Sequence, residues 1–345
     1  MTDIMFVSLD PSRLPCNKHT RRCRPPDSSS KQTTTKHANH LQRKNMTSTV
    51  ESEISELRTY LAQSVDPSFN PPVAQARLAQ YQYGASVPLP ADTESTTLKV
   101  GGIPAVRIRS GGASDSRALL LFHSGGYSSG DPADHAALAA HLAIASNATG
   151  YVPQYRRAPE DPFPAAVEDA AAAYRGLLET GFPADKIVVA GDSAGGGLAI
   201  AVAQQAVLAG LPAPAGVYAM SPWADLTQTN PSYDIRGPHD PMLSRTSLHD
   251  LARMYLNGAD PRSPLASPVF GDFTNFPPLL LHVGTDEVLL GDTLALAREA
   301  AHAGSDVTLR VWAQMIHIFP WFHPHLQTGQ AAIAEAGTWI GRLTA

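Results

Sequence analysis

An α/β fold with a mainly parallel sheet covered by helices is predicted by three observations on this 345-residue chain. Strand-like and helix-like segments alternate over most of its length, the pattern of a sheet sandwiched between helices. A short apolar run at 187–190 passes straight into an alanine-rich helical pattern at 198–208, with Gly191-Asp192-Ser193-Ala194-Gly195 between them. Both cysteines, Cys16 and Cys23, lie near the N-terminus, so the rest of the chain needs neither a disulfide nor a Cys-based metal site.

Composition agrees with a globular enzyme, with 43% apolar residues, 17% charged residues and a net charge of −5. That charge argues against a generally basic surface that seeks nucleic acid, and no apolar run approaches a membrane span. Residues 1–45 stand apart, with nine Lys/Arg against three Asp and almost no aliphatic periodicity. They are expected to be a disordered basic tail or a mis-assigned start, Met46 opening the folded domain at 46–345. The tail lacks the continuous apolar core of a secretory signal, and cysteine usage points to the reducing cytoplasm.

The elements follow in order. Ser48-Thr49-Val50-Glu51 is a capping-box pattern, and Val50, Ile54, Leu57 and Leu61 recur at helical spacing, which predicts a helix over 49–63. A Pro-containing break leads to a second helix at about 73–82. Leu98–Val100 and Ala105–Ile108, separated by Gly101-Gly102, predict an antiparallel hairpin. A buried strand at Ala118–Phe122 ends in His123-Ser124-Gly125-Gly126-Tyr127. Helix 133–146, a strand near 148–153 and helix 165–179 lead to the strand before Ser193. Ala215–Met220 is the next strand. Residues 227–265 interrupt the alternation, with one helix at about 245–256. Strand 279–283, helix 292–303, strand 307–312 and a helix from about 328 complete the chain. There is no internal repeat.

The spacing around Ser193 has a mechanical reason. A strand that turns straight into a helix strains the turn residue, which is tolerated only when its neighbours carry little side chain. Gly191 and Gly195 clear that space, Ser193 is pushed out, and the following helix points its positive end at an anion forming there. Gly-x-Ser-x-Gly alone is a short pattern, but the flanking strand and helix supply its confirming context.

Acyl transfer by serine needs a base, a carboxylate that orients it, and N–H donors for the oxyanion. In parallel sheets such groups gather at the carboxyl ends of strands. His317 directly follows strand 307–312, whereas His282 lies inside a strand, His302 in a helix, and His323 and His325 beside Pro324. Asp286 is the first carboxylate after strand 279–283; Glu287 is its nearest rival, and Asp292 reads as the cap of the next helix. The expected triad is Ser193, Asp286 and His317, in the chain order of an α/β-hydrolase. Gly125, Gly126 and Ala194 are the expected oxyanion donors.

The His123-Ser-Gly-Gly-Tyr loop, Tyr155-Arg-Arg-Ala-Pro-Glu, Gly191-Asp-Ser-Ala-Gly-Gly, the Asp286 segment and Met315-Ile-His317 together resemble the hormone-sensitive-lipase-like carboxylesterases. The likeness runs from about residue 46 to the end. It implies an α/β-hydrolase fold with an eight-stranded sheet and a helical cap, for which 46–90 and 225–262 are the segments available. Two departures stand out. Ser124 replaces the first glycine of the family's usual His-Gly-Gly-Gly, and Arg157 stands where leucine is usual. The family's oxyanion donors match Gly125 and Gly126, so the Ser124 change is expected to spare catalysis.

The expected activity is hydrolysis of carboxylic esters of short to medium acyl chains through an acyl-serine intermediate. A lactone hydrolase on the same residues is the runner-up, and a non-catalytic small-ligand receptor is the alternative of another class. That receptor would lack the histidine, and here His317 is present. A long-chain lipase fits less well, because no lid rich in large apolar residues stands out. No cofactor and no metal are expected, since the histidines show no paired ligand spacing. The expected partner is a small-molecule ester or lactone, without nucleic acid or membrane, and a homodimer is left open.

Overall fold

The computed structural model describes residues 51–345, so the expectations for 1–45 and for the Ser48 capping box lie outside the described residues. Helix α1 covers 51–64 and α2 covers Val73–Ser86. The hairpin pairs β1 (Thr93–Val100) with β2 (Ile103–Ser110). There follow β3 (Ala118–Phe122), α3 (Ala136–Ser146), β4 (Thr149–Pro153), α4 (Ala165–Glu179), β5 (Ile187–Asp192) and α5 (Ala194–Leu208). Then come β6 (Gly216–Met220), α6 (Ser232–Ile235), α7 (Arg245–Leu256), β7 (Leu279–Gly284), α8 (Leu290–His302), β8 (Val307–Trp312) and α9 (Gln327–Leu343).

The eight strands form one sheet in the order β1-β2-β4-β3-β5-β6-β7-β8. From β4 to β8 every pairing is parallel, and β2 joins that block antiparallel. β3 and β5 are buried along their whole lengths, as strands covered on both faces must be. Alternate residues face two apolar layers. Val189 belongs to the layer that holds Leu198, Val202 and Phe122, while Val188 and Ala190 belong to the one that holds Leu138, Ile333 and Trp339. This is an α/β-hydrolase fold.

Several boundaries differ from the sequence reading, such as α2 running on to Ser86, and two of the differences have a visible cause. The hairpin strands are longer than their apolar cores, because the outer half of β1 is polar and exposed at a sheet edge and carries no burial signal. α3 starts at Ala136, not 133, because Asp131–His135 form a turn instead: the Asp131 and Ala133 amides are taken by the carboxylates of Asp134 and Asp131.

The first two helices and α7 do not lie on the sheet layers alone. Ile54, Leu57 and Leu61 of α1 share a buried cluster with Leu138, Trp321 and Phe322, and α2 reaches the loop after β3 through Arg77 to the Ser128 carbonyl and Gln80 to the Ser129 hydroxyl. From α7, Tyr255 stacks on Tyr127 with ring centroids 3.9 Å apart and planes 8° off parallel. Leu251 lies so close to Gly126 that an added Cβ there would come within 2.8 Å of its Cδ1. Both segments therefore arch over the loop that follows β3. Among the described residues no helix is long and apolar enough to cross a membrane.

Candidate active site

Ser193 caps α5 at φ 55° and ψ −121°, a conformation an L-residue adopts only where its surroundings hold it. Those surroundings are backbone hydrogen bonds. The Ser193 amide donates to the Met220 carbonyl, and the Ser193 carbonyl accepts from Gly197 and Trp223. The glycines are required by contact: a Cβ on Gly191 would lie 2.1 Å from the Gly195 carbonyl oxygen, and one on Gly195 would lie 2.1 Å from that of Phe122. The elbow is thus pressed against the end of β3, which brings the next loop beside it.

His317 follows β8 and is buried. Its Nε2 lies 3.0 Å from Ser193 Oγ and its Nδ1 lies 3.0 Å from Glu287 Oε2. Glu287 is fully buried. Its Oε1 accepts the Gly284 amide at 2.6 Å and the Ser221 hydroxyl at 2.8 Å. The Ser221 oxygen in turn accepts the Ile318 amide at 3.0 Å, so one hydroxyl ties the carboxylate to the residue after the histidine.

Asp286, the acid expected from the sequence, does not reach the imidazole. Its amide donates to the Met315 carbonyl, while its carboxylate turns outward to Arg58 on α1, 2.6 Å away. Arg58 also donates to the carbonyls of His239 and Gln314. The first carboxylate after the strand is therefore taken by an arginine from the first helix, and the next, with a longer arm, reaches inward. The second aspartate also departs from expectation. Leu289 caps α8, and Asp292 sits buried in the first turn, accepting the amides of Ala224 and Asp225 and the Tyr233 hydroxyl. Burial, with Asp225 beside it, raises its carboxyl to about 7.

Ser124, Gly125, Gly126, Ser193 and His317 line one cavity of about 270 Å³. Gly125 and Gly126 have φ of 118° and 59°, conformations that favour glycine. Ala194, the third expected donor, is the first residue of α5. The cavity is roofed by Val65, Pro71 and Val73 from the first segment and Met242, Leu248 and Leu251 from the second. Arg77 of α2 pins the loop from outside, donating to the Ser128 carbonyl at 2.8 Å and pairing with Glu160 at 2.7 Å. Arg157, without a role in the sequence reading, donates to the Gly130 carbonyl and so holds the far end of the same loop.

Sequence reasoning missed Ser221 and Asp240. Ser221 is the first residue beyond β6 and, like Ser193 beyond β5, has a positive φ, 46°; its place at a strand's carboxyl end was the signal available. Asp240 is buried in the loop before α7, where one oxygen accepts the amides of Met242 and Leu243 and the other that of Val288. Burial raises its carboxyl to about 6 against the lowering effect of His317 and those amides. Among the described residues no cluster of His, Cys, Asp or Glu is arranged to hold a metal ion.

A family model for the alpha/beta hydrolase fold matches residues 119–321. An acetyl-hydrolase of Streptomyces hygroscopicus is 47% identical over 230 residues, covering 67% of this chain and 77% of that protein. An esterase of Acinetobacter venetianus is 31% identical over 245 residues, covering 70% and 80%. Among solved structures, an esterase/lipase from an uncultured bacterium superposes with a TM-score of 0.81 at 40% identity, covering 85% of this chain and 98% of that one. An esterase of the bacterial hormone-sensitive lipase family gives 0.81 at 36% identity, with 86% and 98% covered. The chain belongs to the α/β-hydrolase fold family and, within it, to the hormone-sensitive-lipase-like carboxylesterases.

Proposed function

We propose that this serine hydrolase cleaves carboxylic esters of short to medium acyl chains, with Ser193 as nucleophile, His317 as general base and Glu287 as the acid that orients it. The observation that carries this reading is the continuous path from Glu287 through His317 to Ser193 Oγ, each step 3.0 Å. Glu287 fixes the imidazole with Nδ1–H toward itself, which leaves Nε2 free to take the serine proton. Ser193 Oγ attacks the ester carbonyl, and the oxyanion faces the amides of Gly125, Gly126 and Ala194 at the positive end of α5. As the tetrahedral adduct collapses, His317 returns the proton to the departing alkoxide. Water, deprotonated by the same nitrogen, then releases the acid and restores Ser193.

The size of the cavity supports the short chain. At about 270 Å³ it lies just below the range of roughly 300–1,000 Å³ usual for small-molecule sites. Each methylene buried in such a pocket gains about 0.8 kcal/mol until the space is full, after which longer chains clash. The test is kcat/KM across a series of p-nitrophenyl esters, with lactones and emulsified triglyceride included. The expected profile rises over the shortest acyl groups, peaks at short to medium length and falls. A rise that continues into long chains, with activation at a lipid–water interface, would identify a lipase instead. Preference for the lactones would select the cyclic-ester reading, and binding without turnover would select a receptor.

A further inference from the structure

Beneath the active site lies a buried ionisable group that the mechanism above does not use. His135, in the turn before α3, has no exposed surface, and both neighbouring carboxylates, Asp134 and Asp192, are buried with it. Its Nδ1 is hydrogen-bonded to Asp134 Oδ1. Its Nε2 lies 3.1 Å from Asp192 Oδ2 and 3.1 Å from Ser124 Oγ. The Trp321 ring stacks on the imidazole at 5.7 Å, within range of a cation–π attraction. Two buried anions around one imidazole have a simple resolution. Burial alone disfavours the charged ring, but Asp192 and Asp134 outweigh it and hold His135 protonated up to about 10. The same nitrogen lies 3.2 Å from the Ser124 amide, so Asp192 meets Ser124, through both its hydroxyl and its backbone, at Nε2.

The position of those two acceptors in the chain gives the contact its meaning. Asp192 immediately precedes the nucleophile, and Ser124 immediately precedes the Gly125-Gly126 pair. The two loops otherwise meet through backbone packing of Gly195 on Phe122 and His123. We propose that His135 is a positioning residue that fixes the oxyanion loop, through Ser124, against the nucleophile elbow, through Asp192. Ser124 is where this chain departs from the glycine usual in its family, and a glycine has no oxygen to offer. Its hydroxyl thus adds a side-chain contact to the one its amide makes with Nε2, and is not a neutral replacement. The proposal rests on the oxyanion assignment above, because its effect is expressed through those amides.

Ser124→Ala removes the hydroxyl half of the link, keeps the amide contact and leaves the imidazole between its carboxylates, so the fold is expected to survive with an unchanged Tm. The measurements are kcat and KM on a short-chain ester and the inhibition constant of a trifluoromethyl ketone carrying the same acyl group. Misplaced oxyanion donors weaken transition-state binding without touching ground-state binding. Ser124→Ala is therefore expected to lower kcat about 10-fold with KM held within about twofold, and to weaken the ketone by the same factor as kcat/KM. His135→Gln is expected to lose about 100-fold in kcat and to melt earlier, since it leaves two carboxylates without their cation. Should that variant not fold, Ser124→Ala alone decides. A kcat retained within about twofold in Ser124→Ala, a loss confined to KM, or a ketone affinity unmoved while kcat falls would each overturn the proposal. Failure of the underlying reading looks different: the parent protein itself would neither hydrolyse the ester nor bind the ketone.

Discussion

The nucleophile elbow at the end of β5 and the acid loop at the end of β7 lie two strands apart, yet they are built on opposite terms. The elbow is a backbone construction. Its conformation is imposed by a strand running into a helix, by hydrogen bonds to the Met220 carbonyl and from the Trp223 and Gly197 amides, and by glycines where any Cβ would collide. The acid loop is a side-chain construction. Gly284, Ser221 and Val288 are held by the carboxylates of Glu287 and Asp240, and Asp286 is drawn off by an arginine from α1. A backbone construction is written in local residue types. A side-chain construction depends on which distant partner claims which group.

The largest effect belongs to the elbow. Ser193→Ala exchanges one small side chain for another at a position held by its backbone, so the Tm should stay within a few degrees while turnover falls by at least about 10⁴-fold. Purified variant assayed beside the parent on one ester decides this; near-parental turnover would remove Ser193 from the mechanism. In the acid loop the corresponding change is Glu287→Gln. The amide still accepts from Gly284 but presents the imidazole with the wrong charge, and a loss of about 10³- to 10⁴-fold in kcat is expected.

The same contrast explains what the sequence could and could not disclose. Ser193, Gly191 and Gly195 were legible because a strand–turn–helix passage admits few residue types. His317 was legible because it is the histidine directly beyond a late strand. The sheet itself followed from apolar runs at 118–122, 187–190 and 279–283, which are buried strands. The choice between Asp286 and Glu287 was not legible. Two adjacent carboxylates sit in one turn, and the outcome is decided by Arg58, 228 residues away in the chain. Asp292 read as a helix cap for the same reason, since nothing local reveals that its oxygens face Ala224 and Tyr233. The outer half of β1 went unread because an exposed edge strand needs no apolar pattern.

A side-chain construction can also titrate, and Asp240 is the place to see it. Its buried carboxyl is raised to about 6, whereas the unfolded chain holds an aspartate near its ordinary value of about 3.9. A raised acid favours the folded state below the unfolded value, and that contribution is lost as pH climbs through about 6. Asp240→Asn cannot ionise, so its stability should lack this component. Relative to the variant, the parent should lose about 2 kcal/mol between pH 4 and 6.5, read from denaturant midpoints at each pH. Parallel curves for the two proteins would mean that Asp240 does not titrate in this window.

The smallest effect sharpens the comparison most, because it isolates the carboxylate that the sequence favoured. Asp286 and Arg58 keep 22% and 29% of their side-chain surface exposed, and an ion pair that open to water contributes at most about 1 kcal/mol. Asp286→Asn retains an oxygen for Arg58 and leaves the path from Glu287 to His317 intact. Its kcat/KM should therefore fall less than about threefold, and its Tm by a few degrees at most. The informative quantity is the ratio of the two losses, Glu287→Gln over Asp286→Asn, which should exceed about 10²-fold. A reversed ratio would mean that in solution the Asp286 carboxylate leaves Arg58 and takes the imidazole, and the acid loop would then have to be redrawn around the shorter residue.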